Sequence, residues 1–198
     1  MDHLSVEQIK AEILEYVGVH SYNFALLIDG EWGCGKTHFV RNVLIPAIEK
    51  AEYRVQRKNN QETNNKQELN TKRVLYISLY GVNSTEDIAQ QILHALVERR
   101  TGIKGKWVSG LRASAEIIDK LFSSNEGVSG KIAEASIQFT SDWANDVLIF
   151  DDLERTNLPI NEVFGYINQF VEQNETKVIL IANEREIGEV ECKMKMDT

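Results

Sequence analysis

Residues 24–28 read Phe24-Ala25-Leu26-Leu27-Ile28, apolar without interruption, and Asp29 and Gly30 break the run. Such a run predicts a strand buried on both faces of a parallel sheet. Ahead of it, Val6, Ile9, Ile13 and Val17 fall on one face of a helix that ends near Gly18, with Ser5 and Gln8 spaced as a capping box. Behind it, Phe39, Val40, Val43, Leu44, Ala47 and Ile48 recur at close to helical spacing, with Pro46 expected to kink or shorten that helix. A second strand is expected over 73–80, closed by Gly81. A helix capped from 83–87 follows, carrying Ile88, Ile92, Leu93, Leu96 and Val97. Val147-Leu148-Ile149-Phe150 predicts a third strand, and residues 161–172 a helix with Val163, Phe164, Ile167, Phe170 and Val171 inward. Lys177-Val178-Ile179-Leu180-Ile181-Ala182 predicts the fourth strand.

Two stretches break this alternation. Residues 57–72 open with a polar run from Arg57 to Glu68 and read as a flexible loop within a single domain spanning 1–198. Residues 101–145 hold helical patterns around 113–121 and 131–139, split by a glycine- and serine-rich stretch at 123–130, and read as a helical insertion between core strands.

The turn after the first strand carries the chemistry. Gly30-Glu31-Trp32-Gly33-Cys34-Gly35-Lys36-Thr37 fits G-x-x-x-x-G-K-[ST], the phosphate-binding P-loop, and sits between strand and helix as that motif requires. At average glycine usage the pattern would arise by accident in a chain of this size with a probability on the order of one per cent. Its glycines let backbone N–H groups turn toward phosphate, and the helix that follows adds the positive end of its dipole. Gly30, Gly33, Cys34, Gly35, Lys36, Thr37 and His38 are therefore the candidate nucleotide-binding residues, with Lys36 on the β- and γ-phosphates and Thr37 on Mg²⁺. Cys34 also raises a redox idea, since a thiol at a helix N-terminus can have a lowered pKa; a small residue tolerated in a loop is the plainer reading.

Composition narrows the class. The chain has 198 residues, 42% hydrophobic and 26% charged, enough for one sizeable core. A net charge of −8 gives nucleic-acid binding no support. No apolar stretch reaches the roughly 18–20 residues needed to span a bilayer, and Met1-Asp2-His3-Leu4 lacks a leader pattern, so a cytoplasmic protein is expected. Cys34 and Cys192 lie far apart, and His3, His20, His38 and His94 form no ligand pair.

The third strand ends in Asp151-Asp152, an apolar run closed by acids of the Walker B kind. After a P-loop, such a pair assigns Asp151 to Mg²⁺ and Asp152 to the base that orients and deprotonates the attacking water. Glu154 is the alternative base, set off the strand on a turn. Asn183 closes the fourth strand, where a polar residue would lie beside the γ-phosphate as a sensor; an asparagine simply ending a strand reads almost as well. Arg155 and Arg185 could contact phosphate or a neighbouring subunit's nucleotide, and ion pairs to Glu154, Glu184 or Glu186 would explain them equally. Trp32 could pack beside the loop or report on its occupancy, and core packing reads equally well.

Together, the P-loop stretch with its Trp32, Asp151-Asp152-Leu153-Glu154-Arg155 and Ile181-Ala182-Asn183-Glu184 resemble the KAP family of P-loop NTPases. That family typically shows Gly-x-Trp-Gly-x-Gly-Lys-[Ser/Thr] and Asp-Asp-Leu-Asp-Arg; here Glu154 replaces the last acid of the latter. The resemblance covers about residues 6–186. It implies a three-layer α/β fold, an ATPase core on a mainly parallel sheet of order 5-1-4-3-2, and ATP and Mg²⁺ as cofactors. Transmembrane segments inserted between the Walker motifs in many members are absent from this sequence, so a membrane role does not carry over. After Asn183 the family needs a fifth strand and a helical region, for which only 184–198 remain. A fragment of a longer protein, or a site completed by self-association or a partner protein, is the expectation. Family members include phage-exclusion proteins, which suggests antiviral defence by analogy.

The function expected is Mg-dependent ATP hydrolysis driving a conformational or assembly switch. A nucleotide-sensing module with little or no hydrolysis is the alternative. A GTPase is disfavoured because Ala182-Asn183-Glu184-Arg185 poorly replaces the guanine-reading Asn-Lys-x-Asp, and a small-molecule kinase is a further possibility.

Overall fold

A computed structural model describes residues 4–54, 69–101, 146–172 and 176–187. Four parallel strands form the central sheet in the order β1-β6-β5-β4, where β1 is Leu26–Asp29, β4 is Arg73–Ser78, β5 is Asp146–Asp151 and β6 is Lys177–Ala182. Counted along the core, this is the 1-4-3-2 portion of the expected order. The expectations of a fifth strand after Asn183, of the 101–145 insertion beyond Thr101 and of the 57–72 loop up to residue 68, together with Cys192, fall outside the described residues. Residues 69–71, at the end of that expected loop, form β3 (Leu69–Thr71), antiparallel to β2 (Glu52–Arg54).

β5 and β6 are central, and every residue of both is buried. Alternation along them splits the core in two. Leu148, Phe150, Val178, Leu180 and Ala182 face α4 (Thr85–Thr101) and α5 (Ile160–Glu172). Val147, Ile149, Ile179 and Ile181 face α1 (Val6–Gly18) and the helix after the loop. Parallel strands covered by helices on both sides make the three-layer α/β arrangement.

β1 departs from expectation. It is the edge of the described sheet, its burial alternates, Leu27 is 43% exposed, and Phe24 precedes the strand at 50% exposure. An apolar run reports that both faces can be buried, not which position in the sheet the strand will take. Phe24 instead packs at a tilt against the rings of Tyr16 and Tyr22, and Lys177 Nζ donates to the carbonyls of Val19 and Tyr22 at 2.7 Å each. Those bonds fix the approach to β1.

The helix after the loop runs through α2 (Lys36–Phe39), a π-helical turn at Val40–Leu44 and α3 (Ile45–Lys50). Pro46 explains the turn. Its ring has no N–H and crowds the carbonyl four residues back, and widening the helix relieves this, with Ile45 N–H donating to Val40 O. Val40, Leu44 and Ile48 stay buried throughout. In α5, Phe164 is 42% exposed rather than inward, because Val163, Ile167, Phe170 and Val171 already fill the buried stripe.

Both expected caps form. Ser5 and Gln8 make a reciprocal capping box on α1. On α4, Asp87 N–H donates to Ser84 Oγ at 3.1 Å while Asp87 Oδ2 accepts from Ser84 N–H at 3.1 Å and Asn83 N–H at 2.9 Å. Replacing Ser84 by Ala should lower unfolding free energy by about 1 kcal/mol in urea denaturation, the usual cost of a lost N-cap.

Candidate functional site

The loops at the carboxyl ends of the parallel strands build the site, where ligands settle in open α/β sheets. After β1, the loop turns with positive φ at Gly33 (79°) and Gly35 (94°), backbone that only glycine adopts without strain. Added Cβ atoms at these two positions would meet nothing within 4 Å, so the cradle is open there. Gly30 differs: its N–H donates to Ala182 O at 3.3 Å, and a Cβ on it would lie 2.9 Å from Cys34 Sγ.

Gly35 is the N-cap of α2, and Phe39 N–H to Gly35 O is the first intrahelical bond. The N–H groups of Lys36, Thr37 and His38 precede that bond, which is the donor arrangement a phosphate takes. The His38 side chain is exposed, and its carbonyl accepts from Asn42 Nδ2 at 3.0 Å. Lys36 folds back over its own loop, donating to Gly30 O and, at 3.1 Å, to Glu31 O. Cys34 is a free, exposed cysteine whose N–H donates to Glu31 O at 3.3 Å.

β5 delivers the acids. Asp151 shares the face of Val147 and Ile149, which is the face of the P-loop helix, and is only 2% exposed. Thr37 Oγ1 donates to its Oδ2 at 2.9 Å, Tyr76 OH donates to the same oxygen, and Asp152 N–H donates to Oδ1 at 2.8 Å. Tyr76 comes from β4, with the Arg41 guanidinium 4.3 Å above its ring. Burial pushes the Tyr76 pKa up, the hydrogen bond and charge of Asp151 push the same way, and Arg41 opposes them less strongly. The hydroxyl is thus a donor at neutral pH.

Asp152 takes a left-handed conformation, φ 60°, the one positive φ among the described non-glycine residues. That turn swings its carboxylate away from Asp151, to Ser78 Oγ at 3.1 Å and Arg155 Nε at 3.5 Å, with 30% of the side chain exposed. Glu154 sits off the strand in a short 3₁₀ turn, Leu153–Arg155, as expected. Its Oε1 accepts from Trp32 Nε1 at 2.8 Å, and its buried Oε2 has no hydrogen-bond partner among the described residues.

Trp32 is 55% exposed, which overturns its reading as a core residue. Arg155 lies over both its ring and that of Tyr80, 5.3 and 5.8 Å from the centroids. The arginines pair with acids other than those expected: Arg155 with Asp152, and Arg185 with Glu31 at 2.5 Å on the surface. Asn183 is 5% exposed; its carbonyl accepts from Glu186 and Ile187 N–H groups, while Asp29 Oδ1 accepts from Glu184 N–H at 2.9 Å. Its backbone therefore starts a helical turn at the end of β6.

Loop, lysine, hydroxyl and strand-end acid occupy one site, and the chain matches the KAP family P-loop domain over residues 7–195. The chain belongs to the KAP family. No curated protein matches it. As a KAP family P-loop domain it carries a nucleotide-binding core, and the residues present suit a nucleotide with Mg²⁺: open loop glycines, a lysine, and a hydroxyl–carboxylate pair offering hard oxygen ligands. Among the described residues, no helix is long and apolar enough to cross a membrane.

Tyr76, Ser78 and Arg41 were not singled out in the sequence. The register Ser78↔Asp151 and Tyr76↔Ile149 brings the end of β4 to the acids. The available signal was two polar residues spaced by two at a strand end that the expected order sets beside the Walker B strand.

The Gly30 contact yields a paired test. Gly30→Ala should cost about 1–3 kcal/mol by overpacking, measured by denaturation, whereas Cys34→Ala alone should be nearly neutral. The double variant should recover most of the loss, because the obstructing atom is the Cys34 sulfur.

Proposed function

We propose that this KAP domain binds ATP with Mg²⁺ and hydrolyses it, driving a conformational or assembly switch in the cytoplasm. The carrying observation is the Thr37 hydroxyl held 2.9 Å from the buried Asp151 carboxylate at the mouth of the P-loop. On this reading Lys36 releases the loop carbonyls and takes the β- and γ-phosphates, while the loop N–H groups cradle them. Mg²⁺ supplies neutralisation of the charge that develops on the transferring phosphoryl group. Thr37 and Asp151 are the residues that would hold it.

Asp152 is the proposed base. It accepts a proton as water attacks the γ-phosphorus and the bond to the bridging oxygen breaks, giving ADP and phosphate. Between the two candidates exposure favours Asp152, which keeps 30% of its side chain open to water, whereas the Glu154 oxygen without a partner among the described residues is buried. Asn183 is proposed as the γ-phosphate sensor. A second copy or a partner protein completing the site, and a role in defence against phage, belong to the same proposal and rest on family analogy alone.

A nucleotide sensor with little hydrolysis is the second reading. It is favoured by one observation, that Asp152 is already engaged by Ser78 and Arg155.

Calorimetric titration of the full chain with Mg-ATP and Mg-GTP, beside phosphate-release assays, tests both. ATP should bind in preference to GTP, and Lys36→Ala should abolish binding. Asp152→Asn should keep ATP affinity within a few-fold and lower turnover about 10²–10⁴-fold, the range for loss of a general base. Glu154→Gln should cost less than about tenfold by comparison. Bound ATP with negligible phosphate release from the wild type would decide for the sensor.

A further inference from the structure

We propose that Tyr76 is the positioning residue for the Mg²⁺-holding carboxylate, setting how strongly ATP binding depends on Mg²⁺ through its hydroxyl on Asp151 Oδ2. The inference rests on the reading of the P-loop as a Mg-ATP site. It does not depend on hydrolysis.

Asp151 is 2% exposed. A carboxylate so buried needs its lone pairs met, and how they are met fixes where it points. Asp152 N–H holds Oδ1 from within the same strand end. Oδ2 is held from two sides, by Thr37 from the P-loop helix and by Tyr76 from β4. The two donors differ in role: Thr37 is itself a proposed metal ligand, so the direction of its hydroxyl would be shared between Asp151 and the ion. Tyr76 is not, so it holds Oδ2 independently of the metal while the Asp152 N–H holds Oδ1.

Tyr76 is itself held. Its ring packs against the core formed with α1 and the P-loop helix, and Arg41 lies over its face at 4.3 Å. Arg41 is carried by the π-helical turn that Pro46 imposes. The tyrosine oxygen is therefore placed by the ring packing and the cation above it, and does not depend on Asp151 for its position. Groups that orient metal ligands from behind typically change metal affinity about 10–100-fold when removed.

Tyr76→Phe keeps the ring under Arg41 and deletes one oxygen. In the full chain, ATP affinity is measured by titration at a series of Mg²⁺ concentrations and with the metal chelated. The expected result is an unchanged affinity for metal-free ATP, and a Mg²⁺ concentration for half-maximal enhancement raised about tenfold. A Tyr76→Phe chain with the wild-type Mg²⁺ dependence, or a lower requirement, overturns the proposal. So does equal weakening with and without Mg²⁺, or a variant that fails to fold by circular dichroism, since each marks a structural role. If the wild type binds no ATP, the Mg-ATP reading falls and this proposal falls with it; wild-type binding with an unaffected variant sinks only the latter.

Discussion

A carboxylate buried at the end of the central strand is the constraint on which the site and much of the fold depend. Asp151 is 2% exposed, and an ionised group removed from water costs several kcal/mol unless its oxygens are met. The donors that meet them come from three separate pieces of chain: Thr37 at the start of α2, Tyr76 in β4 and the Asp152 N–H of the following turn. The Asp152 N–H is local to the strand end, whereas Tyr76 is in place only when β4 pairs with β5 in the observed register, and Thr37 only when the loop after β1 closes over the sheet end. The arrangement that suits a metal-bound nucleotide is thus also what makes burying Asp151 tolerable.

Strand alternation then decides which acid does what. Asp151 continues the parity of Val147 and Ile149 and so faces the P-loop helix. Asp152, one residue on, would turn toward the opposite layer if the strand continued. Its left-handed conformation ends the strand and leads its carboxylate to Ser78 and Arg155. A non-glycine residue at positive φ costs about 1 kcal/mol or more; here the Asp152 N–H bond to Asp151 Oδ1 and the Ser78 and Arg155 contacts offset it. Adjacent carboxylates in sequence are in this way separated into a buried one and a partly exposed one.

Much of this was legible in the sequence, for identifiable reasons. The strands at Lys177–Ala182 and Asp146–Asp151 are apolar from Val178 to Ala182 and from Val147 to Phe150 because helices cover both faces, and the caps at Ser5 and Ser84 are local chemistry that neighbouring residues decide among themselves. Placement across the sheet was harder. Phe24 and Leu27 look as buried as any residue of β6, yet β1 lies at the edge of the described sheet, a fact of topology that periodicity does not carry. Phe164 fits the helical stripe but lies at its margin. Tyr76 escaped notice for a similar reason. A tyrosine in a β-rich run reads as core, and only the parallel register with β5 brings its hydroxyl to Asp151.

Trp32 illustrates how magnitudes separate a contact that builds the fold from one that can be remodelled. Its indole N–H reaches Glu154, and Arg155 lies over its ring, so the P-loop and the turn after β5 are joined at the surface. With Trp32 55% exposed and Arg155 43% exposed, each such contact is worth about 0.5–1 kcal/mol, too little to hold the domain together. Phosphate binding in the loop, by contrast, engages a lysine and several backbone donors at once, and charge-assisted bonds are individually about twice as strong as neutral ones. On the Mg-ATP reading the stronger set dictates the loop's conformation and the weaker set follows it. Arg155 also pairs with Asp152, so any rearrangement of Trp32 reaches the proposed base through one side chain, without disturbing the buried Asp151 beside it.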